Sequence, residues 1–130
     1  MKKTIILFLF LFTALVSNSQ SIPQMSAWDG VAYAIKDYYK QNANDPGSIK
    51  YEEASLMMKF NNGKFSQRVK LRGKNAFGAT MLNEKYFIIT GTGQDAKVEA
   101  IYDASEFEAY GIKNNIKIVS KYDSNGKMVN

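Results

Sequence analysis

The sequence predicts an α+β fold in which one long N-terminal helix packs on a mostly antiparallel sheet of four to five strands. Three observations lead to this fold class. An apolar stripe with helical spacing follows residue 26, alternating strand-like segments follow residue 48, and the turn residues Asn61-Asn62-Gly63 separate two of those segments. Residues 27–130 are expected to form this single domain, with Asp103–Tyr110 a candidate second short helix.

The first nineteen residues have the order of a bacterial secretory signal. Lys2 and Lys3 precede the unbroken apolar run Ile5–Phe12, and Ser17 and Ser19 supply small side chains before the predicted cleavage point. The run is shorter than the roughly 20 apolar residues that a membrane-spanning helix needs. We therefore expect a signal peptide over residues 1–19, a flexible lead over residues 20–26, and export to the periplasm or the medium without a membrane span.

Composition narrows the chemistry of the mature chain, which is about 111 residues long after this cleavage. Removal of Lys2 and Lys3 lowers the formal net charge from +5 to +3, so no nucleic-acid partner is expected. The chain has no Cys and no His. These absences exclude His-based and Cys-based nucleophile systems and zinc sites built on thiolate or imidazole. We expect no cofactor, no metal and no enzymatic activity.

The predicted N-terminal helix begins at a capping box, Ser26-Ala27-Trp28-Asp29, in which the Ser hydroxyl accepts an early helix N–H. Apolar residues then recur with the spacing of one helical face over about 14 residues. They are Trp28, Val31, Ala32, Ile35, Tyr38 and Tyr39. The helix ends before Pro46, which lacks an N–H and disfavours helical geometry at the preceding residue. Trp28 is expected to be a large buried anchor against the sheet.

Five strands are predicted, over residues 55–60, 64–72, 79–90, 97–102 and 116–122. The first two form a hairpin, because Asn and Gly between them tolerate the positive φ of a tight turn. Tyr86–Ile89 is apolar at every position, which is typical of a central strand covered on both faces.

A basic stripe follows the second predicted strand. The window between Glu53 and Glu84 contains no acidic residue, and four cations alternate along one side of the strand. They are Arg68, Lys70, Arg72 and Lys74, followed by Asn75. Such a face could bind an anionic ligand. It could equally be a solvated strand face, or an edge kept charged to prevent sheet-to-sheet pairing.

Two segments resemble a family of small exported bacterial domains of unknown function. Asp45-Pro46-Gly47-Ser48 is similar to its Asp-Pro-x-Ser segment, and Arg72–Gly78 to its later Arg-Ala-Lys-Asn-x-Phe-Gly-Gly segment. The resemblance covers about Val31 to Ile89, with Gly73 and Ala79 departing from the usual residues. It implies one compact domain and no particular activity.

These segments also predict local structure. Asp45 and Ser48 are expected to fix the turn after the helix. Asn75 is expected to hydrogen-bond backbone in a strand-end turn, with Phe77 in the core and Gly78 at positive φ.

The sequence favours an exported, non-enzymatic binding or interaction module that contacts an anionic glycan, an envelope component or a partner protein through its basic face. Its candidate ligand-binding residues are Arg68, Lys70, Arg72, Lys74 and Asn75. Two alternatives stay open. One is a secreted inhibitor or immunity-type protein that fills another protein's cleft, and the other is a small hydrolase that depends on carboxylates.

Overall fold

The computed structural model describes residues 21–130, so the predicted signal peptide lies outside the described residues. The described chain contains two ten-residue helices, α1 (Tyr33–Asn42) and α2 (Ala104–Lys113), and a short 3-10 turn, Pro46–Ser48. Its seven strands are β1 (Lys50–Ala54), β2 (Met57–Phe60), β3 (Phe65–Lys74), β4 (Thr80–Thr90), β5 (Lys97–Tyr102), β6 (Ile118–Tyr122) and β7 (Met128–Val129). Neither helix has the length and apolar character needed to cross a bilayer.

All strand pairs in this sheet are antiparallel, in the order β5-β4-β3-β2-β6-β7. The long strand β3 pairs with β2 near its start and with β1 further along, so β1 and β2 share one side of it. The prediction of four to five strands is wrong, because the structure has seven strands, two more than the upper number predicted. The missed strands are β1, whose Lys-Tyr-Glu-Glu-Ala sequence lacks apolar alternation, and β7, which has only two residues.

The prediction of a long N-terminal helix is also wrong, because the helix begins only at Tyr33. The chain turns at Gly30, which has a φ of +75°. The Ser26 carbonyl accepts the Gly30 N–H at 2.8 Å, and the Val31 carbonyl accepts the Ser26 N–H at 2.9 Å. A Gly inside a helix costs about 1 kcal/mol relative to Ala, and here its freedom at positive φ is used for a turn instead.

Two predicted core aromatics therefore lie in solvent. Trp28, at the head of the predicted stripe, sits in this turn and is 97% exposed. Phe77 lies in the turn between β3 and β4 and is 95% exposed. The predicted capping box at Ser26 is absent from the helix start, whereas Asp103 and Glu106 form a complete one at α2.

Residues 21–26, predicted as part of a flexible lead, are packed against the domain. Ile22 and Met25 belong to the hydrophobic core. Pro23 forms an isolated bridge with Gly93, and Met25 forms one with Ala32. The backbone pairings of this segment therefore connect it to the loop after β4 as well as to the start of α1.

The sheet has two different faces. The α1 face is covered by α1 and residues 22–32, which bury Phe65, Val69 and Phe87. The opposite face, called the α2 face, is covered only in part. Phe107 of α2 stacks on Tyr86 with ring centroids 4.5 Å apart, and the rest of this face carries the basic stripe. Phe87, Ile88 and Ile89 are fully buried, as predicted for a central strand.

Candidate functional site

The basic stripe lies on the α2 face, and its two arginines are paired with acids from the neighbouring strands. The Arg68 guanidinium is 3.2 Å from a Glu53 carboxylate oxygen and 3.6 Å from one of Glu84. Arg72 forms an ion pair with Glu52. These three acids stand at the edges of the acid-free window in the sequence, and strand pairing brings them alongside it. Half of the predicted cationic surface is therefore locally neutralised.

The other two cations of the stripe form no ion pair within residues 21–130. Lys70 is half-buried in the middle of β3, and Lys74 is exposed at its end. Lys74 is next to Asn75, so the exposed cation without an ion pair in the described chain lies at the end of the strand, whereas Lys70 is half-buried.

The two segments that carry the family resemblance meet at this end of β3. The Ser48 hydroxyl donates to the Asp45 carbonyl at 2.8 Å and accepts the Lys74 N–H at 3.1 Å. Gly73 allows close approach, because a Cβ there would lie 3.3 Å from Cγ1 of Ile49. The predicted hydrogen bond of Ser48 is confirmed. The Asp45 side chain makes no capping hydrogen bond, so that part of the prediction is wrong.

Asn75 organises the turn that follows. Its side-chain oxygen accepts the Phe77 N–H at 2.9 Å and the Ala79 N–H at 3.1 Å. Gly78 has a φ of +80°, as predicted. Because the side-chain oxygen is engaged, only the amide nitrogen of Asn75 is left to contact a ligand.

A cleft of about 320 Å³ opens between the C-terminal end of α1 and the β3–β4 hairpin, and we call it the β3-end cleft. It is lined by Tyr38, Tyr39, Asn42, Ala43, Asn44, Asp45, Ile49, Leu71, Gly73, Lys74, Asn75, Met81, Asn83 and Lys85. Two predicted site residues, Lys74 and Asn75, line it, whereas Arg68 and Lys70 do not. Arg72 and Lys74 line a second depression on the other side of the strand end.

The cleft combines a partly apolar floor with a polar rim. Tyr39 packs edge-on against Phe87, with ring centroids 6.0 Å apart, and against Tyr38 at 5.3 Å. Burial, reinforced by the neighbouring Tyr38, raises the pKa of the Tyr39 hydroxyl to about 12. The Tyr39 hydroxyl therefore stays protonated near neutral pH and is able to donate as well as accept hydrogen bonds.

Sequence reasoning missed half of this cleft. Met81, Asn83 and Lys85 alternate along β4 and face α1, opposite Gly73, Leu71 and Val69 of β3. That alternation is visible in the sequence, but its pairing with β3 depends on the register of the hairpin. The contributions of Tyr38 and Asn42 depend in turn on where α1 crosses the sheet.

The cleft has little of the machinery of hydrolysis. Asp45 is the one carboxylate among its described lining residues. The next carboxylates after Asp45 in the sequence are Glu52 and Glu53. Both form ion pairs with arginines of the α2 face. Across residues 21–130 no group of three Asp or Glu side chains is placed to hold a metal ion.

Comparison of the chain with family models, with curated proteins and with solved structures gave no match. The resemblance of its two segments to a family of small exported domains therefore stays a prediction, and function has to be argued from geometry.

Proposed function

We propose that this protein is an exported, non-enzymatic binding module whose β3-end cleft takes one anionic sugar unit of a glycan or other envelope component. The observation that carries the proposal is the convergence of Asp45–Ser48 and Arg72–Gly78 beside a cleft lined by two lysines that form no ion pair within residues 21–130. The proposal moves the binding site from the middle of the basic stripe to its end.

The lining chemistry suits a sugar. Ligand sites combine an apolar surface with a few polar groups that fix orientation, and they usually measure about 300–1,000 Å³. Tyr39, Ile49 and Leu71 provide the apolar part of this cleft. The Asn42 amide nitrogen donates to the Tyr38 carbonyl at 2.8 Å, which leaves its side-chain oxygen free to accept from a hydroxyl. A cleft at the small end of the usual range favours a single sugar unit.

The charge balance favours an anion. Lys74 and Lys85 line the cleft without an ion pair among the described residues, and Asp45 supplies one opposing charge. Arg68 and Arg72 are less available, since a ligand carboxylate would have to compete with Glu53, Glu84 and Glu52. A carboxylate or sulfate on the sugar would instead meet two free ammonium groups.

A binding role is preferred to a hydrolase because glycoside hydrolysis generally needs two carboxyl groups on opposite sides of the scissile bond. The β3-end cleft offers only Asp45 among its described lining residues. Asp45 is exposed at the rim, and one carboxyl group does not supply both of the roles that this reaction requires.

Nuclear magnetic resonance titration with a galacturonate disaccharide tests this proposal. We expect amide shifts confined to residues around Asn42–Ser48, Lys74–Asn75 and Asn83–Lys85. The double variant Lys74→Gln/Lys85→Gln should weaken binding at least about tenfold, since each charge-assisted hydrogen bond contributes about 1.5–3 kcal/mol. A neutral disaccharide of the same size should bind more weakly than the uronate.

The matched control is Lys113→Gln/Lys117→Gln, which removes the same two charges from exposed positions in α2 and the loop after it. Its affinity for the uronate should stay within about twofold of the original protein. Equal losses in both double variants would show non-specific attraction and contradict a cleft site. Absence of uronate binding by the unaltered protein would contradict the proposal outright.

A further inference from the structure

The tip of the β3–β4 hairpin exposes an apolar apex that neither the fold nor the β3-end cleft requires. Phe77 is 95% exposed, and no charged residue occurs between Asn75 and Asn83. The turn itself depends on Asn75, which accepts two backbone N–H groups, and on Gly78 at positive φ. The side chain of Phe77 makes none of the hydrogen bonds of this turn, and aromatic residues are enriched at interfaces relative to the rest of a protein surface.

Apolar side chains continue behind the tip on both faces of the hairpin. Met81 faces α1 and is 47% exposed, whereas Leu82, on the opposite face, is 49% exposed. Both lie further from the apex than the Lys74–Thr80 pair, so the apex itself consists of Phe77 with the exposed Ala76 and Ala79. An apolar medium that encloses this turn would bury these three side chains together.

Cations lie just behind this apolar tip. Lys74 pairs with Thr80 across the hairpin and forms no ion pair among the described residues. At about 3.4 Å per residue, the Lys74–Thr80 pair stands ~7–10 Å behind Phe77. Side chains at a membrane interface reach ~5–10 Å into the boundary between headgroups and acyl chains, so Lys74 would remain at headgroup level. Lys50, near the same end of the sheet, is a second exposed cation without an ion pair in the described chain.

We propose that the Asn75–Ala79 hairpin tip inserts shallowly into an anionic lipid surface, with Phe77 at its apex and Lys74 at the headgroups. The charge complementarity argues for acidic lipids, because each cation near such a surface strengthens binding and because no acidic side chain lies in the tip. This inference goes beyond the proposed sugar binding, although Lys74 belongs to both the hairpin tip and the β3-end cleft.

The single tryptophan of the chain gives a direct test. Trp28 is 97% exposed and lies in the turn whose Gly30 approaches Ala54 and Ser124, away from the hairpin tip. In the variant Trp28→Phe/Phe77→Trp the only tryptophan is at the apex. Its emission should shift to the blue when vesicles of phosphatidylcholine and phosphatidylglycerol in equal parts are added. The emission of Trp28 in the unaltered protein should not shift.

Co-sedimentation with the same vesicles supplies the affinity, with protein recovered from an exporting bacterial host and its N-terminus checked by mass spectrometry. Phe77→Ala should lower the partition coefficient about tenfold, as expected for loss of a buried aromatic side chain. Trp28→Ala, which removes an equally exposed aromatic, should leave it unchanged. Higher salt, or vesicles of phosphatidylcholine alone, should weaken binding.

Three results would overturn this inference. They are no binding of the unaltered protein to anionic vesicles, equal losses in Phe77→Ala and Trp28→Ala, or an apex tryptophan whose emission does not respond to vesicles. After the first result, the alternative to test would be that the hairpin tip binds in a cleft of a partner protein. Because Phe77 makes no core contact, both alanine variants should keep the thermal midpoint of the unaltered protein, which separates loss of binding from loss of fold.

Discussion

Gln67 is a fully buried amide whose hydrogen-bonding groups are all engaged within the fold. Its side-chain oxygen accepts the Ala32 N–H at 2.9 Å. Its nitrogen donates to the Gly30 carbonyl at 2.6 Å and to the Ser55 carbonyl at 3.0 Å. One side chain thus joins the turn before α1 to the connection between β1 and β2.

We expect Gln67→Leu to lower the free energy of unfolding by about 3 kcal/mol, because backbone groups left without a partner in the interior cost about 1–3 kcal/mol each. Urea denaturation measures this directly. Gln41→Leu, at an exposed position of α1, is the control and should change stability little. A Gln67→Leu protein as stable as the original would mean that water replaces the amide at all three backbone groups.

Two residues of the predicted helical stripe have opposite environments. Ile35 is fully buried, and Trp28 is in solvent. We expect Ile35→Ala to cost about 2–5 kcal/mol and Trp28→Ala less than about 0.5 kcal/mol, as measured by urea midpoints. A large loss in Trp28→Ala would contradict the exposed turn and restore the helix predicted from the sequence.

These residues show what periodicity reveals and what it does not. Val31, Ala32 and Ile35 are buried as the stripe predicts, but Val31 and Ala32 reach the core from an extended segment before α1. The spacing identifies the apolar side chains correctly. The backbone path depends on Gln67, a residue 35 positions away from Ala32, and no local pattern contains that information.

At the scale of elements, the five predicted strands are present because alternation and turn chemistry are local signals. Gly63 at a φ of +83° closes the β2–β3 hairpin as its Asn-Asn-Gly sequence predicts. The β3-end cleft could be predicted only in part, since Lys74 and Asn75 belong to a recognisable segment. Asn83 and Lys85 join them through a pairing register that a single sequence leaves open.

The turn before α1 is also stabilised by an ion pair between Asp29 and Lys36. Burial disfavours ionised Asp29, but hydrogen bonds from the Lys36 ammonium, at 2.8 Å, and the Val31 N–H, at 3.0 Å, outweigh it. The result is a lowered pKa for the Asp29 carboxyl. Because the folded-state value lies below the unfolded one, Asp29 stabilises the fold above about pH 4, and this contribution is lost as the pH falls through the folded-state pKa.

Asp29→Asn should therefore lower stability near neutral pH and flatten its dependence on pH below about 4, as followed by urea denaturation at a series of pH values. Asp37→Asn provides the comparison, because Asp37 is an exposed carboxylate of α1 that makes no ion pair in the described chain. An unchanged acid limb in Asp29→Asn would show that the ion pair with Lys36 does not survive in solution.

At the scale of the whole molecule, two adjoining surfaces that share Lys74 serve the two proposed interactions, and one core supports both. The β3-end cleft and the hairpin tip lie at the same end of the sheet, where β3 and β4 extend past α1. The opposite end is closed by residues 22–32 and by Gln67. Stability and binding are therefore separable by mutation at Lys74, Phe77 and Lys85, which lie outside the core, whereas Tyr39, Ile49 and Leu71 belong to both the cleft and the core packing.

The whole fold should fail at high pH through two tyrosines between α1 and the sheet. Tyr39 of α1 and Tyr51 of β1 are half-buried against the core. Burial, reinforced by a neighbouring tyrosine (Tyr38 for Tyr39 and Tyr39 for Tyr51), raises the pKa of each hydroxyl to about 12. Folding thus favours the protonated forms, so their stabilisation is complete below about pH 10 and is lost as the pH rises through about 12.

Absorbance of tyrosinate and circular dichroism, recorded together during a titration with base, measure this loss. Tyr39 and Tyr51 should ionise late, in the same pH interval in which the sheet unfolds. Tyr39→Phe/Tyr51→Phe should remove the late absorbance change and move alkaline unfolding to higher pH, since neither ring then has to lose a proton at the interface between α1 and the sheet. Tyr33→Phe, at an exposed position of α1, should leave the late absorbance change and the alkaline unfolding as they are. Ionisation of Tyr39 and Tyr51 below this interval, in a protein whose circular dichroism remains native, would show that the interface admits water and that burial does not control their titration.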